Sequence, residues 1–131
     1  GQFLACYASK GVPDYVMISN GYSFLFDAKE FKGKSFPLKN LHLHQFEALK
    51  IWEGQGGFSF LILNAVDQRK FFVLPLKSFL KPYENWQQRK NLSLPIPRGQ
   101  GSLKLEKIIS EGVEFDEDGF LNPLISAVKN R

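Results

Sequence analysis

Two aspartates and a lysine stand where they could cut a phosphodiester. Asp14 follows Pro13, and Asp27 precedes Lys29 by two residues in the segment Asp27-Ala28-Lys29. Phosphodiester hydrolysis needs a water made nucleophilic and a leaving oxygen stabilised, and a divalent cation can do both. Mg²⁺ is hard and is held by one or two carboxylates, waters and phosphate oxygens. The least equipment a protein needs is therefore two carboxylates converging on one point. On a strand, residues i and i+2 share a face, so Lys29 would bring its ammonium beside Asp27. There it can orient the attacking water, lower its pKa or neutralise the developing phosphorane charge. The backbone carbonyl of Ala28 is a further candidate ligand. Taken alone, the Asp27–Lys29 spacing is equally that of a surface ion pair on a sheet, worth little.

The surrounding pattern gives these residues a shared location. Residues 15–19 read as a strand, Asn20-Gly21 is a strong two-residue hairpin signal, and residues 22–26 form the return strand, running on to Lys29. Asp14 and Asp27 then fall at the same end of the hairpin. Asp27 and Lys29 directly follow the apolar run Phe24-Leu25-Phe26, so the charges sit where a buried strand emerges. A strand over 2–8 precedes the hairpin, and residues 30–39, with Gly33 and Pro37, read as a loop. Asn40 is expected to cap a helix reaching Glu53, with Leu41, Phe46, Ala48, Leu49 and Trp52 on its apolar stripe. The near-continuous apolar run 58–63 predicts a strand buried on both faces, and residues 70–74 the next strand, after a turn at 67–69. Residues 76–80 and 83–89 read as two short helices or turns, 91–102 as an extended loop, and 103–111 and 120–128 as helices. This order predicts an α/β (α+β) fold with a central mixed β-sheet flanked by helices.

Bulk composition narrows the class. The chain has 131 residues, enough for one domain, and a formal net charge of +4, which permits nucleic-acid binding without demanding it. Cys6 is the single cysteine, so an intrachain disulfide and a cysteine-based zinc site are both excluded. A reducing, cytoplasmic setting follows. No apolar run reaches membrane-spanning length, and no secretory signal is visible. The first residue is Gly1 rather than Met, as expected of an expression scar or of a domain cut from something longer.

The segment Ser35-Phe36-Pro37-Leu38, followed by Asn40-Leu41-His42-Leu43-His44-Gln45, decides between the ion-pair and the catalytic reading. Together with Asp27-Ala28-Lys29-Glu30 it resembles the RecU family of Holliday junction resolvases from bacteria and phages. That family belongs to the PD-(D/E)xK nucleases and shows an Asp before Glu-Ala-Lys, a Ser-Phe-Pro-Leu loop and a helix opening Asn-x-His-x-His-Gln. The resemblance covers residues 5–80 and fades around 93–109. It implies a restriction-endonuclease-like core, in homodimers that cut four-way DNA junctions with Mg²⁺ or Mn²⁺. By position, Asp14 and Asp27 match the metal-binding acids, Lys29 the catalytic lysine and Gln45 a helix glutamine facing the active site. Asp27 replaces the usual Glu, one methylene longer. Two family features have no counterpart in the sequence: an acid on an N-terminal helix ahead of the first strand, and a stalk that engages the junction centre.

Other residues carry weaker signals. Lys32, Lys34 and Lys39 would suit backbone phosphates, although a solvated loop face explains them equally. Ser35 can donate to a phosphate or simply shape a turn, and His44 can contact a phosphate or orient Gln45. Histidines at i and i+2 of a helix diverge, so joint zinc binding by His42 and His44 is not expected. Arg89, Lys90 and Arg98 could extend a DNA track. Trp52 and Trp86 read as packing or dimer residues rather than base-stacking platforms, and the acidic run 111–118 is expected to lie away from the site. Two further functions share these signals. One is a sequence-specific endonuclease of restriction or homing type, and the other a non-catalytic DNA-binding domain of the same fold.

Overall fold

A computed structural model describes residues 3–7, 15–19 and 21–116. Pro13, Asp14, Asn20 and the expected helix at 120–128 lie outside the described residues. Among the described residues, eight strands and three helices follow in order: β1 (Phe3–Tyr7), β2 (Tyr15–Ser19), β3 (Tyr22–Phe31), β4 (Ser35–Pro37), α1 (Leu43–Gly54), β5 (Phe58–Ala65), β6 (Lys70–Pro75), α2 (Leu76–Asn91), β7 (Ser102–Lys104), α3 (Leu105–Glu111) and β8 (Val113–Phe115). Six strands form one sheet in the order β1-β2-β3-β5-β6-β8, while β4 and β7 pair separately. Among the described residues, only the β3–β5 pair is parallel, and α1 lies in the crossover joining those strands. A mixed sheet flanked by helices is the expected restriction-endonuclease-like core.

Alternation along the strands builds two apolar layers. Leu25 and Phe31 of β3, Leu61 and Leu63 of β5, and Phe72 and Leu74 of β6 face one side. There they meet Phe46 and Leu49 of α1, Phe79 and Tyr83 of α2 and Ile108 of α3. Met17, Phe24, Phe26, Phe60 and Val73 form a second cluster on the opposite face. Rings of Tyr15, Phe26 and Phe60 stack in series there, with centroids 5.1 and 4.7 Å apart. The hairpin reading holds in its register: Ser19 stands opposite Tyr22, and Gly21 takes φ 82°, a left-handed backbone that glycine adopts without strain.

Four expectations are corrected. Residues 30–39 are not one loop: β3 runs on to Phe31, and β4 pairs with β7, Phe36 opposite Leu103. Burial of Phe31, Phe36 and Leu38 drives this, although three-residue strands show no readable period. Asn40 does not cap the long helix. It ends a 3-10 turn over Leu38–Asn40, and His42 is the N-cap of α1. Tyr83 Oη donates to the Leu41 carbonyl at 2.6 Å and holds that residue extended, outside the helix. Residues 76–91 form one helix with Pro82 inside it. An interior proline costs about 3 kcal/mol, but Phe79, Tyr83 and Trp86 are buried along the same helix side, each worth about 1.5–3 kcal/mol. Burial therefore wins. Finally, 103–111 divides into the end of β7 and α3. Among the described residues, no helix is long and apolar enough to cross a membrane.

Candidate active site

The site is built on the second half of β3. Leu25, Asp27, Lys29 and Phe31 alternate onto the helix-covered face, because Leu25 and Phe31 are drawn into its core. Asp27 and Lys29 pair in register with Leu61 and Leu63 of β5, both fully buried. Asp27 itself is 0% exposed, whereas the Lys29 side chain is 21% exposed. Lys29 Nζ lies 3.1 Å from Asp27 Oδ2. This is not the solvated surface pair that spacing alone allowed. Desolvating a carboxylate costs several kcal/mol unless ammonium groups or hydrogen bonds compensate. A pair held at that cost is a functional candidate.

The β2–β3 ladder is described as far as Tyr15 opposite Phe26. Asp14 and Asp27 are the next residues outward in sequence, but Asp14 lies outside the described residues. Ala28 is exposed at its side chain. Among the described residues, no three of His, Cys, Asp and Glu gather as a metal-holding group. The candidate donors at this point of β3 are the Asp27 carboxylate and the Ala28 carbonyl, hard oxygen ligands that fit a hard divalent cation.

Gln45 is buried, at 7% exposure, and occupies the third position of α1. Its Oε1 accepts from the His42 backbone N–H at 3.1 Å, the reciprocal half of a capping box. The residue expected to face the site thus also fixes the start of α1. The two histidines do not diverge. His42 has extended backbone (ψ 150°) ahead of the helix, and its ring stacks on His44 at 5.6 Å and 11°. The i, i+2 argument fails because only His44 is inside α1. Lys32, Lys34, Lys39 and His44 are exposed, and Ser35 is half-buried. Arg89 is half-buried and donates through Nη1 to Pro95 O at 3.1 Å, fastening the loop after α2 rather than reaching outward. Lys90 lies over the Trp86 ring, 5.1 Å from its centroid, and Trp86 belongs to the core. Glu114 of the acidic run is on β8, three strands from β3, roughly 14 Å at ordinary strand spacing.

Two contributors were not read from the sequence. Asp67 Oδ2 accepts from Gly33 N–H at 2.7 Å, pinning the turn that carries Lys32 and Lys34. Tyr83 is buried beneath α1, and its hydroxyl is pushed up to about 12 by burial first and by the Glu47 charge second. Both contacts join residues 34 or more apart in sequence, where no local pattern announces them.

The sequence matches the family model of Recombination protein U over residues 3–115. The match thus extends through the region where the visible resemblance faded. The Holliday junction resolvase RecU of Latilactobacillus sakei is 31% identical over 122 residues, 92% of this chain and 53% of that protein. That of Limosilactobacillus reuteri is 32% identical over 120 residues, 91% of this chain and 53% of the relative. That of Staphylococcus carnosus is 34% identical over 93 residues, 70% of this chain and 45% of the relative. The chain spans about half the length of the curated relatives it matches.

Proposed function

The chain belongs to the RecU family, and from that premise we propose that it is a metal-dependent endodeoxyribonuclease that cuts four-way DNA junctions during recombination. The observation that carries this is the fully buried Asp27 paired at 3.1 Å with Lys29, on the strand where the family places its acid and lysine. Asp27, Asp14 and the Ala28 carbonyl would hold a divalent cation, Mg²⁺ or Mn²⁺. What supports this is the described end of the ladder, Tyr15 opposite Phe26, which brings β2 to the position beside Asp27. When bound, such a cation activates a water and stabilises the leaving oxygen.

The chain's own residues do the rest. Lys29 orients the attacking water and offsets charge building on the phosphate oxygens. Gln45 holds the start of α1 beside the site through its bond to His42. Lys32, Lys34, Lys39, Ser35 and His44 contact DNA phosphates, the kind of contact that fixes register without reading sequence. The functional unit is a homodimer of this nuclease domain, since a junction offers two symmetric strands to cut, and it works in the cytoplasm.

The experiment is incubation of the protein with a labelled four-way junction and with a linear duplex, in Mg²⁺ and in chelator. Symmetric cutting of the junction in Mg²⁺ alone is expected. Cutting of the duplex at one fixed sequence would replace this reading with a site-specific endonuclease. Binding without any cutting would replace it with a DNA-binding domain.

A further inference from the structure

A second charged surface lies where β4 pairs with β7. Two adjoining openings, about 400 and 600 Å³, share Gly99, Ser102 and Lys104 as their common wall. Lys81 of α2 and Lys107 of α3 line the first, and Lys34, Arg98 and Glu106 line the second. Five cations against one anion give this groove +4, and the whole chain carries +4. Even with Glu84 and Glu111 counted beside Lys81 and Lys107, five cations face three anions, so the groove stays positive.

The groove is built rather than accidental. β7 is hydrogen-bonded to β4, with Ser35 opposite Lys104, and Leu105 N–H donates to Lys34 O at 2.8 Å. The loop that supplies Arg98 and Gly99 is fastened at both ends. Arg89 Nη1 donates to Pro95 O at 3.1 Å, and Leu38 N–H donates to Gly101 O at 3.0 Å. Gly99 has φ 85°, and a Cβ there would stand 3.7 Å from Lys104 Cε. Lys107 is engaged by Glu111 at 3.0 Å and Lys81 faces Glu84 at 4.0 Å, while Glu84 is held more closely by Lys50, at 2.9 Å. The Lys81 side chain is 82% exposed. Ser35 and Ser102 add hydroxyl donors along the same line.

We propose that this groove binds the phosphodiester backbone of a DNA arm that is not being cut, with Lys81, Lys104 and Arg98 as successive phosphate contacts. The assignment rests on the nuclease reading above. A compact anion would need cations converging on one point, whereas these are strung along two openings on either side of Lys104. A strand of phosphates uses such a line, and each neutralised phosphate releases counterions, so affinity falls with salt. A branched substrate presents a second backbone while its first lies at Asp27 and Lys29.

The test is fluorescence anisotropy of a labelled four-way junction in chelator, where nothing is cut, across a series of salt concentrations. Wild type is compared with Lys81→Gln/Lys104→Gln and with Lys70→Gln/Lys77→Gln, which removes the same charge from exposed lysines outside the groove. All four side chains are exposed, and circular dichroism checks that both variants fold. The slope of log affinity against log salt is expected to become shallower by about two in the groove variant, near 0.9 per phosphate contact, and to stay as in wild type in the other. Lys81→Arg/Lys104→Arg should restore it. Equal slopes in wild type and groove variant overturn the groove alone, and equal losses in both double variants do the same, since they show general charge. Displacement of the junction by millimolar inorganic phosphate at fixed ionic strength, in wild type but not in the groove variant, would overturn it in favour of a compact-anion site. Absence of DNA binding by the wild type overturns both the groove and the nuclease reading.

Discussion

The Asp27–Lys29 pair and the groove around Lys104 hold positive charge in opposite ways. On β3 the charges are carried into the helix-covered core, with Asp27 fully buried and Leu61 and Leu63 alongside. At β7 the cations stay in solvent on a fastened loop and two helices. A buried pair is little affected by salt, whereas exposed charges are screened over about 8–10 Å at ordinary ionic strength. The contrast assigns work by environment. On the proposed reading, charge inside the fold is spent on the reacting atoms, at a cost in stability, and charge outside it on how firmly and in what pose the polyanion is held.

The largest expected effect concerns the inner region. Lys29→Ala should lower the single-turnover cleavage rate of a four-way junction by roughly 100- to 1,000-fold, in the range of a positioned general acid–base or charge-stabilising group. The loss should be the same at low and high salt. A loss that shrinks as salt rises would place Lys29 among the solvated contacts and break the contrast.

A smaller effect tests the layer that supports both regions. Tyr83 sits on α2, which also carries Lys81, and its hydroxyl donates to Leu41 just ahead of α1. Its pKa is raised to about 12 in the fold, from an ordinary value near 10. The neutral phenol is thus favoured by folding, and its contribution is complete below pH about 10 and lost as pH rises toward about 12. Denaturant unfolding at neutral pH should show Tyr83→Phe less stable by about 1–3 kcal/mol, the cost of an unsatisfied buried carbonyl. Its stability should then fall less steeply than wild type between pH 10 and 12. Parallel curves for the two proteins would show that Tyr83 does not carry this link.

Much of the frame was legible because its signals are local. Asn20-Gly21 between two alternating runs set the β2–β3 register, and the apolar run from Phe58 set β5. The Asp27–Lys29 spacing correctly put both on one strand face, but nothing local said that face was buried. That follows from Leu61 and Leu63, more than 30 residues away. β4 and β7 were missed because three residues are too short for a period. Pro82 split one helix into two on paper because the sequence does not display the aromatic burial that outweighs it. The groove was missed for a related reason. Lys34, Lys81, Arg98 and Lys104 are scattered in sequence; the β4–β7 pairing sets Lys34 beside Lys104, and α2 and the loop after it add Lys81 and Arg98.

The central claim is that Asp27 is a buried carboxylate kept for chemistry rather than for stability. The direct measurement is single-turnover cleavage of a labelled four-way junction in Mg²⁺ by wild type and Asp27→Asn, at protein concentrations that saturate the DNA. Asn keeps the shape of the side chain and removes its charge, so the fold and DNA binding should survive while cleavage falls to background. Undiminished cutting by Asp27→Asn would contradict the account.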